Sequence, residues 1–364
     1  MMLLHSAAQE QASQLQNIAS RAAIEMGDAA AEHLEVIRFL ARPASYAHHP
    51  ATVEIVESHM SLVFLAGDLV FKIKRPVHLK FVDFRTLSSR RHYCETELAV
   101  NQRLAPGIYL AVAPLVRKAD GALALDAAGE PVDYVVVMRR LDQEQSFEAR
   151  VRRREVSSAD VDDLCRVLAA FYREQPPVAI TGAEMIGKWQ TGVERMRQSL
   201  TDAQFGLETR LTGPPLAAIQ QFLDENSDLI AQRVAHGWVR DGHGDLKPEH
   251  VYPGPPVLFI DRLEIDAQRR WCDPFDEIAF LGMECTKMGA GWIADRLTDA
   301  LAGELGDRPP PVLLRFYSCY RACLRARFAI EHLLDEAPRT PQRWPRRARE
   351  YLALAAAEWE KPTG

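Results

Sequence analysis

The stretch Asp241-Gly242-His243-Gly244-Asp245-Leu246-Lys247-Pro248-Glu249-His250 gathers acids, histidines and a lysine in one short polar segment, and Asp261 follows eleven residues after His250. Between them, Val257-Leu258-Phe259-Ile260 is an apolar run. The pattern is a polar loop, a short buried strand, and a carboxylate at the end of that strand. In such an arrangement one carboxylate can orient or deprotonate an attacking hydroxyl while the other holds Mg2+ against phosphates. Taken alone, each aspartate reads first as a turn residue, which is common. The rest of the chain has to decide.

Upstream, the pattern is that of strands. Val53–Glu57 alternates, Leu62–Leu65 is β-branched and aromatic, Ala66-Gly67-Asp68 supplies turn chemistry, and Leu69–Lys74 alternates again. A helix is expected over about Leu87–Leu104, with Thr86 as N-cap and Pro106 as stop; Leu87, Cys94, Leu98 and Ala105 share one stripe and Glu97 sits at its edge. Two more strands are expected near Tyr109–Val116 and Tyr134–Met138. Beyond Leu141 the periodicity is helical, through Val161–Tyr172, Ile219–Val234, Phe275–Met283 and Leu313–Leu334. Strands with one helix, then mostly helices with a small β island, give an α+β chain of two parts. The expected boundaries are a helical extension over 1–37, a sheet-bearing part over 38–140 and a helical part over 141–364.

Several motifs in this order carry a resemblance. His243–His250 resembles the catalytic loop of the protein-kinase-like superfamily, in the form shared by aminoglycoside phosphotransferases and related small-molecule kinases. Ile260-Asp261-Arg262-Leu263-Glu264 resembles the metal-binding segment of that family. Glu57–Leu65, Val70–Val77, Glu97–Asn101 and Arg103–Leu110 are similar to one bacterial branch of aminoglycoside-phosphotransferase-like proteins, often fused to a P-loop ATPase half. The similarity covers about residues 38–285.

The resemblance implies a two-lobed kinase-like fold, with a small antiparallel-sheet N-lobe and a mostly helical C-lobe. It implies ATP- or GTP-dependent phosphorylation of a hydroxyl on a small molecule, assisted by Mg2+, with Mn2+ as an alternative. On that pattern Asp245 orients the acceptor or acts as base, His243 braces the loop, and Lys247 approaches the transferred phosphate. Asp261 is the main metal ligand and His250, where the wider superfamily has Asn, a second one. Lys72 and Lys74 share one face of their strand; Lys72 is the expected phosphate clamp, with Glu97 as its partner and Lys74 as the fallback. Ser58, His59 and Ser61 would cover the phosphates without the usual glycines, and backbone groups near Met138 and Arg140 would meet the purine. Asp276 reads as a scaffold carboxylate that hydrogen-bonds the loop. The rival reading is a nucleotide-binding pseudokinase acting as a regulatory or interaction module, favoured by His250 and the absent glycine-rich loop. The acceptor itself is not legible, because fold does not fix substrate.

Two decoys weigh less. Gly182–Lys188 fits a P-loop pattern, but Trp189 replaces the Ser/Thr hydroxyl and no strand precedes it. A His243/Asp245/His250 metal cluster would leave Lys72 and Glu97 unexplained. The basic runs Arg150–Arg154 and Arg339–Arg349 read as solvated helix faces or as a patch for an acidic partner. With 44 Lys and Arg against 50 Asp and Glu in 364 residues, the net charge of -6 argues against a dedicated nucleic-acid binder. No apolar run approaches the roughly 18–20 residues of a membrane span. Met1–Leu4 lacks a basic n-region, so no secretory leader is expected. The six cysteines form no CxxC pair, and a reduced, cytoplasmic protein is expected, binding nucleotide and a small molecule, with a protein partner as a further option.

Overall fold

The alternation that begins at Val53 folds into an antiparallel sheet. The computed structural model describes residues 16, 18, 20, 30–58, 60–79, 82–334 and 340–360, and the chain divides into two compact units after Asp142. Strands β1 (Val53–Glu57), β2 (Ser61–Ala66), β3 (Leu69–Lys74), β4 (Tyr109–Arg117), β5 (Leu123–Leu125) and β6 (Glu130–Arg139) pair in the order β1-β2-β3-β6-β4-β5. β3 is therefore a central strand. Its lysines do not lie on a solvated edge.

Register explains what each face does. Ile73 lies opposite Leu62 and Phe71 opposite Phe64, and these side chains point to one face. Helix α1 (Ala30–Leu40) covers that face, with Val36, Ile37 and Leu40 buried in the same core. The helix runs across the 37/38 boundary expected from the sequence. On the other face, Lys72 lies opposite Val63 and Val136, and Val70 opposite Met138.

Helix α2 (Leu87–Asn101) begins where expected: Thr86 is extended and its hydroxyl accepts from the Ser89 amide. Its buried stripe differs from the expected one, however. Arg90, Cys94, Glu97 and Asn101 are buried, so Glu97 lies in the middle of the inward face. The stripe tolerates charge because each ion finds a counter-ion: Arg90 meets Asp133 at 2.7 Å, and Glu97 meets the β3 lysines.

The second unit is helical: α3 (Phe147–Arg152), α4 (Ser158–Glu174), α5 (Gly182–Leu200), α6 (Thr209–Ala235), α7 (Pro274–Lys287), α8 (Trp292–Leu305), α9 (Pro311–Glu331) and α10 (Arg343–Glu360). Capping boxes at Ser157 and Thr181 start α4 and α5. The P-loop look-alike lies within α5, where Lys188 donates to the backbone carbonyl of Trp271 at 3.2 Å. A small β island holds the loop: β7 (Arg240–Asp241), β8 (Val251–Tyr252), β9 (Leu258–Phe259) and β10 (Trp271–Cys272), with β7 paired to β10 and β8 to β9. All six cysteines are buried and free. No described helix is long and apolar enough to cross a membrane.

Candidate active site

In the first unit the polar centre is a clasp. Lys72 Nζ lies 2.7 Å from Glu97 Oε1, and Lys74 Nζ lies 2.5 Å from Glu97 Oε2. One carboxylate holds both ammonium groups, and burial makes the pairing obligatory, since an unpaired ion there would carry a large desolvation cost. The two lysines differ in access. Lys72 keeps 14% of its side chain exposed, against 1% for Lys74. Only Lys72 can present its ammonium to a bound group without repacking. Met138, on β6, shares the sheet face of Lys72: it lies opposite Val70, two residues before Lys72 on β3.

Other residues expected in this unit have plainer surroundings. Ser58 and Ser61 form the tight turn between β1 and β2: the Ser58 hydroxyl donates to the Ser61 carbonyl at 3.1 Å and accepts from the Ser61 amide at 3.0 Å. Ser61 is buried opposite Lys74. The Ser58 hydroxyl is thus engaged within the turn itself. His59 lies outside the described residues. The Arg140 amide donates to the Asp68 carbonyl at 2.8 Å, and its guanidinium meets Glu54 at 2.9 Å. That amide is therefore committed to the turn between β2 and β3.

In the second unit the loop from Gly242 to His250 is fixed from beneath. Glu277, on the first turn of α7 and buried, accepts from the His243 amide at 2.9 Å, the Gly244 amide at 2.6 Å and the Tyr172 hydroxyl at 2.5 Å. It does what the sequence reading gave to Asp276. Asp276 instead pairs with Arg321, with nitrogen–oxygen distances of 2.7 and 2.5 Å. Adjacent helical residues lie about 100° apart, so only one of the two can face the loop. Nothing local in Asp276-Glu277 says which.

Two arginines complete the frame. Arg262 donates to the Gly242 carbonyl at 2.8 Å and pairs with Asp241 at 2.9 Å; Arg270 pairs with Asp241 at 2.7 Å and donates to the Leu263 carbonyl at 2.8 Å. The glycines are there because side chains do not fit. A Cβ on Gly242 would lie 2.6 Å from Cys272 Sγ, and Gly244 combines a φ of +86° with Arg270 Cγ 2.9 Å from where a Cβ would be.

The histidines divide their work. His243 is fully buried; its Nε2 lies 2.9 Å from the Ile260 carbonyl, which can only accept, so Nε2 carries the proton and Nδ1 faces the Asp245 amide at 3.4 Å. Burial lowers its pKa to about 4, so it is neutral at pH 7. Both nitrogens serve the backbone. This is the geometry of a brace.

His250 Nδ1 lies 2.9 Å from the Asp245 carbonyl and therefore donates, which turns Nε2 toward Asp261 Oδ2 at 3.5 Å. With Nδ1 as the donor, Nε2 and the Asp261 carboxylate are placed to share a cation between them. Asp261 is 42% exposed and has a left-handed φ of 59°, which Asp tolerates better than most residues. One carboxylate and one imidazole nitrogen fit a divalent ion that takes its remaining ligands from water and phosphate oxygens. The nitrogen makes the pair at least as suitable for Mn2+ as for Mg2+.

Asp245 and Lys247 stand 3.0 Å apart, and Lys247 also lies 3.3 Å from Glu249. Burial alone would raise the Asp245 carboxyl; the Lys247 ammonium, then His250, bring it below the usual carboxylate range. Burial likewise opposes the charge on Lys247, yet Asp245 and Glu249 raise its pKa. Leu246, between them, is fully buried and pins the loop to the helical core. The loop thus brings Asp245, Lys247, His250 and Asp261 together, as the sequence spacing suggested.

Comparison with known proteins bears on the fold. No protein-family model matches the chain. It is 32% identical over 290 residues to uncharacterized proteins of Mycobacterium tuberculosis and Mycobacterium bovis, covering 77% of this chain and 56% of each relative. The chain thus spans little more than half the length of the curated relatives it matches. Among solved structures it is similar to a choline/ethanolamine kinase family protein from Mesorhizobium loti, with a TM-score of 0.54, 18% identity, and 90% of this chain and 96% of that one covered. A choline kinase from Cryptosporidium parvum gives a TM-score of 0.51 at 11% identity, covering 89% and 95%. The chain has the protein-kinase-like fold, with a small antiparallel-sheet N-lobe and a helical C-lobe.

Proposed function

We propose that the chain is an ATP- or GTP-dependent phosphotransferase acting on a hydroxyl of a small molecule. The observation that carries this reading is the continuous polar chain Lys247–Asp245–His250–Asp261, with separations of 3.0, 3.9 and 3.5 Å, held on a loop that buried groups brace. Structural ion pairs do not need a carboxylate such as Asp261 to stay half exposed beside an imidazole nitrogen.

In the reaction the acceptor hydroxyl oxygen bonds to the γ-phosphorus. The bond from that phosphorus to the bridging oxygen breaks, its electron pair leaves with the nucleoside diphosphate, and the hydroxyl proton passes to Asp245 and then to water. Asp245, held below the usual range, is a weak base. It therefore positions the hydroxyl first and takes the proton late, when bonding to phosphorus has made that proton acidic. Lys247 lies against the transferred phosphoryl group and offsets its charge. Lys72, fixed by Glu97, holds the α/β-phosphates, with backbone groups of the Ser58–Ser61 turn over them and Met138 under the purine. Asp261 and His250 would hold the divalent ion, which when bound neutralises phosphate charge. The work is positioning plus electrostatics.

A thermal-shift assay with non-hydrolysable ATP and GTP analogues, each with Mg2+, Mn2+ or neither, tests this on wild type and Asp261→Asn. Ligand at about 100 times Kd stabilises the native state by about 2.7 kcal/mol. A metal-dependent shift that disappears in Asp261→Asn supports the reading, and no shift under any condition refutes it. His250, in place of an amide, favours a second reading, a nucleotide-binding module without transfer. A metal-dependent shift with no diphosphate formed against any acceptor selects that one.

A further inference from the structure

The two basic runs of the sequence, far apart in the chain, meet at one cavity. A space of about 220 Å3 in the helical unit is lined by Arg152 from the first run and by Arg343, Arg346 and Arg347 from the second, with Lys287 and Arg325. Pro248 and Glu249 of the loop line it as well, so the cavity opens beside the segment that carries Asp245. Arg325 is close enough to be among the cations that hold the Asp245 carboxyl low.

Six cationic side chains face four carboxylates there. The carboxylates already have partners. Glu148 meets Arg152 at 2.6 Å, Glu284 meets Arg325 at 2.7 Å, Glu350 meets Lys287 at 3.0 Å, and Glu249 meets Lys247 at 3.3 Å. Arg343 and Arg347 have no carboxylate partner among the described residues; Arg347 meets Tyr351, its guanidinium 3.4 Å from the hydroxyl and 5.7 Å from the ring centre. Among the described residues, two guanidinium groups thus face the space without a carboxylate, and their planar forks match phosphate or carboxylate oxygens. A polycation would meet that surplus charge at a cost. The volume is also below the roughly 300–1,000 Å3 of sites for drug-sized ligands.

We infer that this cavity is the acceptor site and that the acceptor is a small hydroxyl compound carrying its own anionic group, a phosphate ester or a carboxylate. The inference rests on the phosphotransferase reading above. Arg343 and Arg347 grip the anion, and the hydroxyl to be phosphorylated points toward Asp245.

The test is calorimetric titration of the full chain, saturated with Mg2+ and a non-hydrolysable ATP analogue, with glucose 6-phosphate, glycerol 3-phosphate and gluconate. Choline and kanamycin serve as cationic probes. Binding of at least one anionic probe, weakened tenfold or more in R343Q/R347Q, is the expected result, and the phosphate and carboxylate arms tell the two anion classes apart. Binding of choline or kanamycin without any anionic probe overturns the inference. So does anion binding that the double variant leaves unchanged, or no binding by any anionic probe. Nucleotide titration of the same samples reads the underlying proposal: failure to bind nucleotide sinks that reading, whereas bound nucleotide with any of these adverse outcomes sinks only the acceptor inference.

Discussion

Replacing Glu277 by Gln tests whether this buried side chain holds the loop. The substitution keeps shape and volume but turns one acceptor oxygen into an NH2 donor. Oε2 serves two donors, the His243 amide and the Tyr172 hydroxyl, and Oε1 serves the Gly244 amide. The glutamine rotamer that keeps its oxygen at the Oε2 position then sets an NH2 group against the Gly244 N–H. A buried backbone amide left without an acceptor costs about 1–3 kcal/mol. The two remaining bonds pass from a charged to a neutral acceptor and lose roughly half their strength. The sum is about 3 kcal/mol, a factor of about 100 in the opening of the loop. Urea unfolding at pH 7.5 should show that loss, and amide exchange in a peptide spanning 241–246 should run about 100-fold faster. Asp276→Asn, which disturbs only the Arg321 pair, should leave exchange in that peptide unchanged. Unaltered exchange in Glu277→Gln, or equal acceleration in Asp276→Asn, would refute the assignment.

Other expectations follow from the same geometry. Lys72→Met should weaken binding of a non-hydrolysable ATP analogue at least tenfold with little change in the urea midpoint, whereas Lys74→Met should lower the midpoint. The reverse pattern would make Lys74 the clamp. Gly242→Ala must displace Cys272 or Glu277 and should cost about 1–3 kcal/mol by overpacking; a midpoint equal to wild type would show that the loop has room. Acid should destabilise both units below neutrality. His33 and His243 have folded pKa values lowered to about 3 and about 4, so each stays neutral in the fold. Above pH 6.5 neither state binds the proton, and stability is full. Below it the unfolded chain protonates first, and each histidine removes about 2 kcal/mol by pH 5. Urea midpoints that stay constant between pH 7 and pH 5 would contradict this.

Local pattern made much of the fold legible. Strands β1 to β3, the Thr86 cap and helices α4, α6, α7 and α9 follow from period and turn chemistry, which neighbouring residues set between themselves. The spacing of Asp245, His250 and Asp261 around a short apolar run likewise predicts their meeting, because two short strands and a turn leave the chain few other paths. The lysine pair on β3 was visible too, since alternate residues share a face.

What the sequence left open was settled by packing between distant segments. Glu97 sits at the centre of its helix face only because β3 lies across from it and two buried ammonium groups need its charge. Glu277 rather than Asp276 supports the loop because the pose of α7 turns one of two adjacent carboxylates inward, an angle no local residue encodes. Ala30–Leu40 joins the core because the sheet leaves an apolar face to be covered. The basic runs read as solvated faces until the fold of the helical unit brought Arg152 and Arg343–Arg347 around one cavity. Periodicity reports which way a side chain points relative to its own element. What it points at depends on where the other elements pack, and only the tertiary structure supplies that.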